Sequence, residues 1–179
     1  MNNWFARVGK VTGTLIAINA LVFLADTSSG GRVGNFLALY SNDWALAPWS
    51  LVTYGFAHAD IVHVALNMYS LWIFGEALER ALGPAKFLTL YLGSVVAGGV
   101  AFGLFSVGSV VGASGGVFGL MAAYFIFMRA MGYRSSQMLV LIILNVSLGF
   151  FYTSVAVSAH IGGLVAGGAI AWYFVKARR

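Results

Sequence analysis

Six long apolar stretches, separated by polar links, run through the chain: Val11–Ala25, Ile61–Leu78, Phe87–Val107, Val110–Met128, Met138–Tyr152 and Val155–Val175. They are continuous runs, not ten-residue alternations of apolar and polar positions, and so predict helices rather than the strands of a barrel. A helix needs about 20 apolar residues to cross a bilayer, with about 17–25 the usual range. The first and fifth runs are short and are expected to extend past these edges. Arg7 and Lys10 precede the first run, as in a secretory leader. However, Phe23 stands where a small residue is wanted before a cut after Ala25, and five further runs follow, so a retained anchor is expected.

The stretch Thr27–Asp60 is too long for a simple connection and carries Phe36, Trp44, Trp49, Tyr54 and Phe56. It is expected to be an outer loop between the first two spans. Its short helices would lie in the interface, where amphipathic rings are favoured. Ser106–Val110 and Thr153–Ser158 form short outer links. With no tandem repeat, low-complexity tract or second domain, residues 1–179 are read as one membrane domain.

Composition agrees. Of 179 residues, 60% are hydrophobic and only 8% charged, and the mean hydropathy is +0.89. A soluble domain averages about 25% charged residues, so lipid must be the solvent for most of this surface. The 23 glycines suit closely packed membrane helices. Cysteine is absent, which excludes a disulfide framework and a thiolate metal site. The net charge of +5 taken alone would suggest nucleic acid, but its placement argues against that partner. In a six-span arrangement Arg7, Lys10, Arg80, Lys86, Arg129, Arg134, Lys176, Arg178 and Arg179 share one side, leaving Arg32 on the other. By the positive-inside rule that side is the cytoplasm, with both termini there. Asp26, Asp43 and Asp60 fall on the outer side, and five or seven spans would scatter these charges.

Ionisable groups inside spans are costly and need explaining. Glu76 and Glu79, beside Arg80 near the inner end of span two, read as a boundary ion pair or a cap. His63 and Asn67 are four apart on the same span and project from one helical face. Ser114, within Gly112-Ala113-Ser114-Gly115, opens span four, and His160 opens span six. At about 1.5 Å rise per residue, Ser114 lies about 22 Å above Arg129. His160 and His63 lie about 24 Å above Lys176 and Glu79, and Asn67 about 18 Å above Glu79. Against a hydrocarbon core of about 30 Å, all four sit roughly 6–12 Å below the outer surface.

Nucleophilic acyl transfer uses these residue types together. A serine hydroxyl is a weak nucleophile until a base takes its proton, and His160 is the candidate base. The Asn67 amide, the His63 ring N–H and the Ser114 backbone N–H are candidate donors to the developing oxyanion. A helix beginning at Ser114 aims its positive end at the same charge. Gly115 with Gly119, and Gly163 with Gly167, form GxxxG pairs that would let spans four and six touch. Each polar residue also has an ordinary reading: a capping or packing serine, an interfacial histidine on a carbonyl, an interhelical amide. Jointly they favour catalysis, while His58 is assigned a structural hydrogen bond. There is no H-E-x-x-H and no intramembrane carboxylate among the histidines, so no metal is expected. Aspartyl catalysis fails because the aspartates sit in loops, and transport lacks a charged pathway or broken-helix pair.

Three motifs then carry a resemblance. From roughly Trp49 to Gly167 the chain resembles the rhomboid family of intramembrane serine proteases. The motifs are His58-Ala-Asp-Ile-Val-His63-Val-Ala-Leu-Asn67 leading into Phe74-Gly75 and Glu79-Arg80, then Gly112-Ala113-Ser114-Gly115, then Ala159-His160-Ile161-Gly162-Gly163-Leu164-Val165-Ala166-Gly167. The resemblance implies an all-α, six-transmembrane-helix bundle acting as an endopeptidase on transmembrane segments of single-span proteins. It implies a Ser114–His160 dyad without a third acid, and an oxyanion hole from His63, Asn67 and the Ser114 N–H. Gly112, Gly115, Phe118, Gly163 and Gly167 would be supporting residues, with no cofactor. The implied setting is the lipid bilayer of a bacterial cytoplasmic membrane, with substrate entry beside span five and the outer loops. Two positions depart from the family: Trp49-Ser50 where Trp-Arg is frequent, and Phe118 where many members have a Tyr that stacks on the histidine. Neither removes a catalytic group. The alternative implied is a non-catalytic rhomboid-like protein that binds or escorts membrane helices. Such relatives typically lack the Ser or the His, and this chain has both.

Overall fold

The computed structural model describes residues 9–41, 44–151 and 156–177. Helix α1 (Lys10–Ser28) is followed by the short α2 (Arg32–Leu37), strand β1 (Leu39–Tyr40), α3 (Ser50–Thr53) and a 3-10 turn at Tyr54–Phe56. Then come α4 (Ile61–Leu82), α5 (Pro84–Phe105), strand β2 (Ser109–Val110), α6 (Ser114–Ala130), α7 (Ser136–Phe151) and α8 (Val157–Lys176). Helices α1, α4, α5 and α8, of 19, 22, 22 and 20 residues, are long and apolar enough to cross a membrane. Helices α6 and α7 are apolar but shorter, at 17 and 16 residues. The chain is an all-α polytopic membrane protein. Its outward faces carry exposed Leu21, Leu24, Leu66, Val165 and Trp172, a surface that only lipid solvates well. Arg7, Asp43, Arg178 and Arg179 of the charge pattern, the end of the fifth run at Tyr152, and residues 153–155 of the link to the sixth lie outside the described residues.

Local chemistry sets the helix ends. The Asp60 carboxylate accepts from the His63 backbone N–H at 2.8 Å and caps α4. Its pKa is held below the usual carboxylate range, chiefly by that bond. Gly83, at φ +80°, ends α4, and Pro84 opens α5 directly behind it.

The third and fourth apolar runs end and begin differently from their hydropathy. Helix α5 stops at Phe105, short of Val107, and α6 starts at Ser114 instead of Val110. Residues Ser109 and Val110 pair antiparallel with Tyr40 and Leu39, so their backbone groups are spent on a ladder. Gly108 and Gly112, at φ +103° and +131°, bracket that ladder with conformations no helix contains.

The two glutamates of α4 divide their roles. Glu76 pairs with Arg80 at 3.0 Å. Glu79 is buried and caps a different helix: its carboxylate accepts from the backbone N–H groups of Val11 (3.0 Å) and Thr12 (2.8 Å) and from the Thr12 hydroxyl (2.7 Å). The start of α1 is thereby tied to α4.

The packed centre consists of α5, α6 and α8, with α4 against α6 and α1 against α4. From Gly115 to Ala123 every residue of α6 is buried. Glycines make this closeness possible. A β-carbon at Gly163 would stand 2.7 Å from the Gly115 carbonyl carbon, and one at Gly167 would stand 2.6 Å from that of Gly119. Neither has room for a side chain. Helix α7 packs more sparsely, against α6 and α8.

Candidate active site

Ser114 is the first residue of α6, and the segment before it is moored from the stretch between α1 and α4. The Gly112 N–H donates to the Tyr54 carbonyl at 2.9 Å. The Ala113 N–H donates to His58 Nε2 at 3.4 Å. Tyr54 is itself buried, and its hydroxyl donates to the Val95 carbonyl at 2.7 Å. Burial, reinforced by Tyr91, pushes that phenol up, so it stays a neutral donor. Burial lowers His58 to about 4, with the neighbouring His63 ring adding and the Phe56 carbonyl and Asp60 opposing. At neutral pH His58 is therefore an uncharged acceptor, matching the structural hydrogen bond expected of it.

His160 stands in the first turn of α8, its backbone N–H directed to the Ala156 carbonyl at 3.2 Å. Its Nε2 lies 2.8 Å from Ser114 Oγ. With the imidazole proton on Nδ1, the serine hydroxyl donates and Nε2 accepts. The Phe118 ring stacks on the imidazole with centroids 4.3 Å apart and planes at 21°. His160 Nδ1 is buried and has no hydrogen-bond partner among the described residues. An aromatic plate, rather than a carboxylate, sets the orientation of this ring.

His63 and Asn67 share one face of α4. A β-carbon at Gly112 would lie 2.7 Å from His63 Nε2 and 3.6 Å from Ser114 Oγ, so Gly112 is the spacer between that ring and the serine. His63 also meets His58 edge-on, with centroids 5.0 Å apart. Asn67 is buried, and its amide donates back to the His63 carbonyl at 3.0 Å. Among the described residues no hydrogen bond joins it to Ser114. The structure thus gathers Ser114, His160, Phe118, Gly112 and His63, with Asn67 one turn below and its donor turned aside. Gly115, Gly163 and Gly167 lie in the α6–α8 contact beneath. Among the described residues no three His, Asp or Glu side chains converge as a metal site requires.

At the two departures from the family pattern, local contacts are intact. Ser50 is buried, its hydroxyl donating to the Ala47 carbonyl at 2.6 Å, and Trp49 stacks against Phe36 at 6.4 Å. The loop is anchored without an arginine. In the sequence Tyr54 stands out only as one aromatic among several. The signal for it is the adjacent Gly98 and Gly99, since a β-carbon on either would lie within 3.0 Å of the Tyr54 side chain.

Comparison with known proteins agrees with this architecture. The rhomboid domain model matches residues 45–177. The rhomboid protease GluP of Bacillus subtilis is 33% identical over 175 residues, covering 89% of this chain and 34% of that protein. Rhomboid protein 1, mitochondrial, of Saccharomyces cerevisiae is 30% identical over 190 residues, covering 91% of this chain and 53% of its own length. The rhomboid protease GlpG of Haemophilus influenzae is 25% identical over 187 residues, covering 99% and 96%. The chain therefore spans a minor part of GluP and little more than half of the yeast protein, but nearly all of GlpG. A domain match over well more than half of its residues, on a helical membrane scaffold, establishes that the chain belongs to the rhomboid family.

Proposed function

We propose that this chain is an intramembrane serine endopeptidase, with Ser114 as nucleophile and His160 as general base and acid. The observation that carries the reading is the 2.8 Å contact between His160 Nε2 and Ser114 Oγ, inside a helical membrane protein. Ser114 Oγ attacks the scissile carbonyl as Nε2 takes its proton. The same proton then goes to the leaving amine, and an acyl-enzyme remains. Water, entering from the outer face and deprotonated by His160, releases the acyl group. The oxyanion is held by the Ser114 backbone N–H, at the positive end of α6, and by the His63 ring. The Asn67 amide joins them by turning from the His63 carbonyl, a single-bond rotation.

In this reading residues 1–179 form one domain in which α6 and α7 complete six spans. The loop helices α2 and α3 lie at the outer interface. Lys10, Arg80, Lys86, Arg129, Arg134 and Lys176 then face the cytoplasm, opposite the Ser114 end of the bundle. Substrates are single-span proteins whose helix unwinds locally to present a peptide bond. The names of the bacterial relatives as rhomboid proteases support this reading.

Labelling by a serine-reactive fluorophosphonate tests it. Wild type is expected to be labelled, Ser114→Ala not at all, and His160→Ala far more slowly, with parallel loss of cleavage of a single-span substrate. A folded wild-type protein that takes no label would favour an escort protein, and cutting retained by Ser114→Ala would remove the dyad.

A further inference from the structure

At the end of the bundle remote from Ser114, the last turn of α6 and the first turn of α7 flank an open pocket of about 400 Å³. Its lining is Phe125, Arg129, Arg134, Ser135, Ser136 and Leu139. No carboxylate is paired with either arginine among the described residues, where the ion pair is Glu76–Arg80 and Glu79 is spent on α1. Ser135 is 6% exposed; its carbonyl accepts from Leu139 N–H at 3.0 Å, but its hydroxyl makes no hydrogen bond among the described residues. The same pocket receives the N-terminus of the 16-residue α7, whose first N–H groups have no partner within the helix. Two cations, a hydroxyl that lines the pocket without a bond among the described residues, and a positive helix end make a seat for an oxyanion.

We propose that this seat binds the phosphate group of an anionic phospholipid. Arg129 and Arg134 take the phosphate oxygens with Ser135 and the α7 N-terminus, and Phe125 and Leu139 receive the glycerol and first acyl carbons. A soluble phosphate would share the polar contacts but not the apolar wall. Around the pocket Met131, Tyr133, Leu139 and Val140 are exposed by 45% or more, a rim suited to lipid. Basic pockets between helices on the cytoplasmic side are a recognised way to hold such headgroups. The inference needs only that α6 and α7 end at the membrane surface, and is independent of the protease reading.

Native mass spectrometry of the purified full chain in detergent tests it, using phosphatidylglycerol against phosphatidylcholine. Wild type is expected to retain phosphatidylglycerol preferentially. Arg129→Gln and Arg134→Gln should each weaken that adduct about five-fold. Ser135→Leu, which fills the pocket and keeps both charges, should weaken it too, while Lys176→Gln, a charge on the same side outside the pocket, should not. Thermal unfolding of each variant separates lost binding from lost fold. Equal binding by wild type and the double arginine variant would overturn the proposal. So would Lys176→Gln matching the arginine variants while Ser135→Leu binds normally, because the attraction would then be diffuse. Excess inorganic phosphate is expected to leave the lipid in place; displacement by phosphate alone would assign the seat to a soluble phosphate and overturn the lipid source.

Discussion

Gly163 on α8 rests on the backbone of Gly115 on α6, so closely that a β-carbon at 163 would stand 3.0 Å from the Gly115 Cα. Ser114 is the residue before Gly115, and His160 lies one turn before Gly163. The short Ser114–His160 contact therefore depends on two helices touching backbone to backbone. Gly163→Val or Gly167→Val should separate them, lowering stability by about 1–3 kcal/mol and cleavage by a larger factor. Thermal unfolding in detergent together with turnover of a single-span substrate checks this. Normal values for both would remove the packing argument.

Phe118 stacks face to face on the His160 imidazole, the base of the proposed mechanism. Phe118→Ala frees the imidazole, and an aromatic pair contributes about 0.5–1.5 kcal/mol beyond area burial, so kcat should fall about three- to ten-fold. Phe118→Tyr keeps the plate and should stay near wild type. A fall of equal size in both would mean that the ring does something other than stack.

In the proposed mechanism Asn67 is one oxyanion donor of several, so Asn67→Ala should slow cleavage by about 10–1,000-fold. Since its amide bonds only the His63 carbonyl at rest, KM should change little while kcat drops. An effect confined to KM would place the amide in substrate binding.

Glu79 links the N-terminus of α1 to α4 through two backbone N–H groups and the Thr12 hydroxyl. Glu79→Ala should cost at least about 1.5–3 kcal/mol, the range for one hydrogen bond to a charged group. Glu79→Gln, which keeps an acceptor, should cost less. Unfolding midpoints of the two variants decide the order.

His58 gives the fold an acid sensitivity. Its pKa falls from the ordinary 6.5 to about 4 in the folded protein, mainly through burial. Between those values the unfolded chain takes a proton that the folded one refuses, so its contribution to stability is intact above about pH 6.5 and lost as pH falls towards 4. His58→Gln should flatten the unfolding midpoint over that window. An unchanged slope would show that other groups carry it.

Much of this molecule is legible in the order of its amino acids. Lipid cannot hydrogen-bond the backbone, so long apolar runs are expected to be helical, and rise per residue predicts neighbouring levels, within about 6 Å, for Ser114, His63, Asn67 and His160. The ends of the third and fourth runs are not legible in that way. Val107 and Val110 continue the apolar pattern, yet Ser109 and Val110 pair with Tyr40 and Leu39, some seventy residues away. The same holds for Glu79, whose partners are on α1, and for Tyr54, which holds the Gly112 turn. Periodicity and depth are properties counted along one helix, and the sequence alone determined them. Which helices lie side by side depends on how distant surfaces of glycine and bulk fit together. That fit, decided only in three dimensions, brings the hydroxyl of Ser114 to the imidazole of His160.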